Sequence, residues 1–377
     1  MTKDVCTLLE ELVAIASPSG DEGAATEYVA SYLKQHGVAV ELLGETVLAR
    51  VRLGETSGDA RGPRILLNSH LDTVPVGADW TRNPLGEWDG DTLYGRGSND
   101  AKASAASMIW ALVDLAQNAS SVTARGEVWM ALTACEETSN EGMQRVVERE
   151  GTFDAGITGE PTGLEVVRAQ SGLAVLVANW GGRSCHAAHV SRVDHDNALT
   201  KAASELANVS PYVTLDEEHE LLGKSTVVAS VFNAGTRHNV VPDRAEAVFD
   251  ARLAPPHNAE EVATLLRSKL PTATVTVRSG RLTPVEVPSD HPVVQSALRA
   301  SGRAEAIGSA TMSDMALLRG TPSVKCGPGQ TVRSHTTDEF VLRSEVEEGA
   351  RFYRAFAVEC LEALVEEDVA RSQEAGA

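Results

Sequence analysis

Leu66-Leu67-Asn68-Ser69-His70-Leu71-Asp72 sets an apolar run directly before a histidine, with an aspartate two residues further on. The same construction returns twice. Thr133-Ala134-Cys135-Glu136-Glu137-Thr138 closes an apolar stretch over 127–134, and Thr158-Gly159-Glu160-Pro161-Thr162 closes another over 153–158. An open α/β sheet presents its functional side chains in this way, at the carboxyl ends of its strands. The surrounding pattern agrees. Apolar residues recur at helical spacing over 4–16 and again over 21–36, where Gly37 closes the run. Strands are predicted over 38–43, 47–53 and 64–68, and a helix over 101–115 behind Ser98-Asn99-Asp100. Strands alternating with helices predict an α/β fold, a mixed sheet flanked by helices.

Near Gly172 the texture changes. Strand-like stretches at 173–179, 226–233, 245–253 and 274–278 enclose helical stretches at 198–206 and 259–269. That order, β-α-β-β-α-β, is the ferredoxin-like split unit and predicts a second domain inserted into the first. The expected division is a discontinuous catalytic domain, 1–171 with 287–377, and an inserted domain over 172–286. Beyond the insert the α/β pattern resumes, with a helix over 293–301, a buried strand over 323–326 and a C-terminal helix over 344–367. Residues 371–377 read as a frayed tail.

Composition narrows the function classes. With 377 residues, two domains are the default. The net charge of −20 (33 basic against 53 acidic residues) repels nucleic acid and anionic membrane, which excludes both as expected partners. No apolar run approaches the roughly 20 residues of a membrane span. The N-terminus lacks the shape of a signal peptide. Five scattered cysteines without C-x-x-C spacing read as reduced thiols, which places the chain in the cytoplasm.

Taken singly, each fragment of the candidate site is ordinary. A strand-end His-x-Asp pair is common, and Asp100, after the glycine-hinged Gly95-Arg96-Gly97, could simply cap a helix. In chain order, however, His70, Asp100, Glu137, Glu160 and the loop residue His335 supply three carboxylates and two imidazoles to one place. That donor set suits borderline divalent cations, zinc above all, with cobalt and manganese also tolerated. Glu136, directly beside one ligand, is left over as the base that metal-assisted hydrolysis needs. Asp72, on the same strand face as His70, is expected to accept the second ring N–H of that histidine.

These motifs resemble the dinuclear zinc exopeptidase and deacylase family of acetylornithine deacetylases, succinyl-diaminopimelate desuccinylases, aminoacylases and glutamate carboxypeptidases. The resemblance covers nearly the whole chain. It implies two metal ions, one held by His70, Asp100 and Glu160 and the other by Asp100, Glu137 and His335, with Asp100 bridging. It makes Glu136 the general base, and the inserted domain a lid and dimerisation domain. Gly182-Arg183-Ser184-Cys185-His186 resembles the segment whose histidine stabilises the tetrahedral intermediate, from a partner subunit in dimeric members. Asn239 and Arg252 match positions that bind a substrate carboxylate, and Ser313 or Arg333 is expected to sense the substrate side chain. The stretches 98–101, 234–242, and Ser313-Asp314 with the run 324–339 look most similar to deacylases of N-acetyl-ornithine, an arginine-biosynthesis activity. Ala101, Ala103-Ser104 and Ala134-Cys135 depart from the usual pattern without removing a ligand. Other acyl amino acids, N-acetyl-lysine, N-acetyl-citrulline and N-succinyl-diaminopimelate, and dipeptides stay open as substrates. A binding protein without turnover is the alternative of another class, and the intact Glu136 argues against it.

Overall fold

A computed structural model describes residues 3–54 and 62–375. The chain forms two compact units. The first runs through Arg168, resumes over Val287–Ile307 and continues from Ser313; the second comprises Ala169–Glu286 and Gly308–Met312.

The first unit is built on a mixed sheet. Its inner strands, in spatial order Gly126–Thr133, Arg64–His70, Ala155–Thr158 and Ser323–Lys325, are mutually parallel. They are buried almost throughout, and the apolar runs Ile65–Leu67 and Val128–Leu132 show no alternation, as a sheet covered on both faces requires. Thr46–Leu53 and then Ala39–Leu43 extend one side antiparallel. There the burial begins to alternate, with Arg50 and Arg52 exposed, as an edge demands. Because the four inner strands are parallel, their carboxyl ends share one edge.

The helix Lys102–Gln117 lies in the core on one face of the sheet, with the helices Val5–Val13 and Arg343–Ala375. Its side chains are small or apolar nearly all round, so it buries every side. Lys102 is the exception, and it is buried as well. Its ammonium donates to the carbonyls of Leu12, at 3.0 Å, and Ile15, at 2.8 Å, tying the end of the first helix to the start of this one. On the opposite face Met143 and Val146 pack on Leu48, Leu66, Trp129 and Phe153. They belong to the helix Glu141–Glu150, which was not expected, because only two large apolar residues mark its inner side. The frayed tail is also corrected in part, since helix continues to Ala375; residues 376–377 lie outside the described ones.

The second unit is an antiparallel sheet in the order Val213–His219, Gly223–Ala234, Arg244–Leu253, Gly172–Gly181 and Thr274–Leu282. The last four carry the ferredoxin-like pairing. The helices Ala198–Leu206 and Ala259–Lys269 bury Ala198, Ala202, Val262, Ala263 and Leu266 against Leu176, Ala178, Phe249 and Ala251. Val213–His219 is an additional edge strand. Its acidic Asp216-Glu217-Glu218 gives no clean alternation and hides it from a pattern reading.

Candidate metal centre and active site

Every element of the centre lies in the first unit, at the carboxyl edge of the parallel strands. His70 is the last residue of its strand, and the turn 134–137 follows the strand Gly126–Thr133. Gly159-Glu160 follows Ala155–Thr158. A Cβ on Gly159 would lie 2.6 Å from the Tyr353 hydroxyl and 2.8 Å from Ser104 Cβ, so only glycine lets Glu160 approach here. Asp100 comes from the loop ahead of the helix Lys102–Gln117. It does not cap that helix; Ala101 occupies the cap position, and the Asp100 side chain is left for another purpose.

That purpose is visible in its distances. One carboxylate oxygen of Asp100 lies 3.4 Å from His70 Nε2, and the other lies 3.5 Å from His335 Nε2. His335 Nε2 is also 2.8 Å from a Glu137 oxygen. Donor atoms of His70, Asp100 and Glu137 all fall within 4.8 Å of one another. Asp100 thus stands between two imidazoles with one oxygen toward each, the arrangement of a bridging ligand.

The electrostatics state the same need. Desolvation, followed by the charge of Asp100, pushes the Glu160 carboxyl up to about 8. Desolvation, followed by the charge of Glu160, holds Glu136 well above the usual carboxylate range. Burial acts to lower the His70 pKa, but hydrogen bonds to Asp100 and Asp72 outweigh it and raise it well above the ordinary value. Crowded carboxylates beside imidazoles are what a divalent cation neutralises, so the residues present fit one.

A layer of hydrogen bonds holds these groups, and it widens the role expected for Asp72. The nearest acceptor to His70 Nδ1 is the Asp72 backbone carbonyl at 2.9 Å; the Asp72 carboxylate is 3.4 Å away. That carboxylate also accepts the backbone N–H groups of Glu136, at 3.0 Å, and Glu137, at 3.1 Å, and the Ser19 hydroxyl at 2.7 Å. Asp72 therefore pins the turn that carries Glu136, and its main chain and carboxylate both face His70 Nδ1. Asn140 ties the same turn to Asp314, donating to the Glu136 carbonyl at 3.0 Å and to an Asp314 oxygen at 3.1 Å.

Glu339 is the positioning residue that the motifs did not single out. It is fully buried and accepts the backbone N–H groups of Asn99, at 3.0 Å, and Asp100, at 2.9 Å, with Arg96 at 2.6 Å on its other oxygen. Glu339→Ala releases the Asp100 loop and leaves the Arg96 guanidinium without its carboxylate. Metal affinity, read by titration with a competing chelator, is expected to fall about 10- to 100-fold, with Glu339→Gln intermediate. Unchanged affinity in a folded Glu339→Ala protein would refute this role.

The expected substrate residues fall into two groups. In the second unit the His186 and Asn239 segments are neighbours: the Asn239 carbonyl accepts the Ala187 N–H at 2.9 Å, and residues 186 and 240 form a bridge. His186 Nδ1 accepts the Ala188 N–H at 3.1 Å, which leaves Nε2 directed away from that turn. Arg252 is not an open clamp, because Asp250, two residues back on the same strand face, holds its guanidinium through both oxygens at 2.8 and 3.2 Å. In the first unit, Ser313 is buried beside Asp314. Arg333 is engaged with Glu345 at 2.7 Å and stacks on Phe340 at 4.4 Å. Ser313 is thus buried, and Arg333 partly buried and paired, within the first unit.

The sequence pattern of peptidase family M20/M25/M40 matches residues 66–359, which span every one of these centre residues. The chain belongs to this family. It is a hydrolase of the family's peptidase and deacylase type. Among its relatives is a probable succinyl-diaminopimelate desuccinylase of Staphylococcus epidermidis, 26% identical over 90% of this chain and 94% of that one. A [LysW]-lysine/[LysW]-ornithine hydrolase of Saccharolobus solfataricus is 27% identical, with 92% and 93% covered. The fold is shared with a solved Bacillus subtilis protein described as a dinuclear metal binding peptidase from the M20 family. The two superpose with a TM-score of 0.72 at 17% identity, covering 95% of this chain and 98% of that one. Among the described residues, no helix is long and apolar enough to cross a membrane.

Proposed function

We propose that this hydrolase removes the acyl group from an N-acyl amino acid, with N-acetyl-L-ornithine as the first substrate, releasing L-ornithine and acetate. The observation that carries the reading is Asp100 between two imidazoles, with Glu136 on the adjoining turn beside Glu137. His70, Asp100 and Glu160 would hold one divalent ion, and Asp100, Glu137 and His335 a second, zinc being the ion their N and O donors suit best. Bound there, the ions would polarise the scissile carbonyl and lower the pKa of water. Glu136 takes the proton of the attacking water and returns it to the leaving nitrogen. A base in this position must also give the proton back near neutral pH. Asn239 and Arg252 would bind the α-carboxylate once Arg252 exchanges Asp250 for substrate, and His186 would donate to the oxyanion.

The desuccinylase among the relatives supports a second reading on the same centre, with N-succinyl-diaminopimelate as substrate. A cytoplasmic setting is consistent with five free cysteines. A homodimer is consistent with Val228, Val231 and Phe232 exposed along Gly223–Ala234. Amine release separates the substrate readings. Metal-replete enzyme is assayed on Nα-acetyl-ornithine, Nα-acetyl-lysine, Nα-acetyl-citrulline, N-succinyl-diaminopimelate and several dipeptides, with a chelated control. Chelator-sensitive turnover is expected, fastest on Nα-acetyl-ornithine. A faster rate on another member moves the substrate, and no turnover on any of them rejects the deacylase reading.

A further inference from the structure

Next to the turn that carries Glu136 lies a cavity of about 260 Å³ lined by Glu22, Glu45, Cys135, Glu141 and Arg145, among others, and by none of the residues of the metal centre. Glu22 is fully buried. One of its oxygens accepts the N–H groups of Gly20, at 3.0 Å, and Cys135, at 2.9 Å. The other, Oε2, is buried with no hydrogen-bond donor. Glu45 stands against it, with one oxygen taking the Glu22 backbone N–H at 2.9 Å. Glu141 is already paired with Arg145. Among the described residues, neither Glu22 nor Glu45 has an ion-pair partner. The two carboxyl groups are in contact, and such a pair, one member stripped of water, is relieved by a shared proton or by a cation between them.

We propose that Glu22 and Glu45 form a further cation site, distinct from the catalytic centre, that takes a hard divalent ion of the calcium or magnesium type. The donors are all oxygen: Glu22 Oε2, Glu45 Oε1, and water admitted on the half-open side of Glu45. No imidazole or unstrained thiolate is offered, which selects against zinc.

The site also has a route to the chemistry. Glu22 holds the N–H of Cys135, a non-glycine residue at φ 57°, and the next two residues are Glu136 and Glu137. A left-handed residue at this position persists only where surrounding bonds hold it. An ion that fixes Glu22 fixes the turn, so occupancy is expected to raise kcat with little effect on KM.

The experiment is calorimetric titration of calcium chloride, and separately magnesium chloride, into enzyme preloaded with its catalytic metal. Wild type is expected to bind one further equivalent and to melt at a higher temperature with it. Glu45→Gln, a half-exposed position that tolerates the change, is expected to lose that equivalent while retaining the catalytic metal measured by atomic emission. Glu141→Gln is expected to keep it. Binding is read without substrate, so failure here is separable from failure of the deacylase reading. No further equivalent in wild type, with a melting temperature that depends on pH alone, would mean that the two carboxylates share a proton and the site is not a cation site. Equal binding by Glu45→Gln would overturn it as well.

Discussion

Glu136→Gln is expected to lower kcat about 10²- to 10⁴-fold, the usual contribution of a positioned base, and to leave the bound metal unchanged. The amide keeps the shape of the side chain, and the backbone N–H at residue 136 still reaches Asp72. What it loses is the capacity to accept a proton. Stability is not expected to fall, because the substitution removes a carboxylate that desolvation and the charges of Glu160, Asp314 and Glu137 already disfavour. The signature is therefore a drop in kcat at nearly constant KM, with wild-type metal content by atomic emission and an equal or higher melting temperature. Activity above a tenth of wild type would remove Glu136 from the base role. A loss of metal would make it a ligand instead, and the assignment of Glu136 and Glu137 would be exchanged.

What was legible in the sequence follows from how a parallel sheet is made. His70, Glu137 and Glu160 could be read because each follows a buried apolar run, and the chain must turn at the same edge each time. His335 could be read only as a histidine on a glycine-rich loop, and its place depends on packing that no local pattern encodes. The supporting bonds were less visible. Glu339 lies 239 residues from the Asp100 N–H it accepts, and Asp314 lies 181 from the Thr133 hydroxyl. Asp72 was legible for only part of its work: the i, i+2 rule brings it beside His70, while its oxygens also hold a neighbouring strand's loop. The pairing of Arg252 with Asp250 was within reach of that same rule, since residues two apart on a strand share a face. The helix Glu141–Glu150 and the strand Val213–His219 stayed hidden because each buries too few apolar residues to establish a period.

Asp100→Ala is expected to be the most damaging single change at the centre, because it is the one residue that both proposed ions share. Its two oxygens face His70 and His335 separately, so the substitution removes a donor from each position at once. The remaining sets, His70 with Glu160 and Glu137 with His335, offer two protein donors each, too few for a closed divalent site. Metal content is expected to fall from two equivalents to less than about one, and turnover to fall at least as far as in Glu136→Gln. The stabilisation that metal confers should disappear with it: a site held at 100 times its Kd contributes about 2.7 kcal/mol. Wild type therefore melts higher when zinc is added to chelated protein, and Asp100→Ala does not. The contrast with Glu136→Gln separates the two roles, since one variant loses rate with metal in place and the other loses the metal. Two equivalents retained by folded Asp100→Ala, with wild-type resistance to a chelator, would show that Asp100 bridges nothing, and the centre would have to be rebuilt around Glu137 and Glu160.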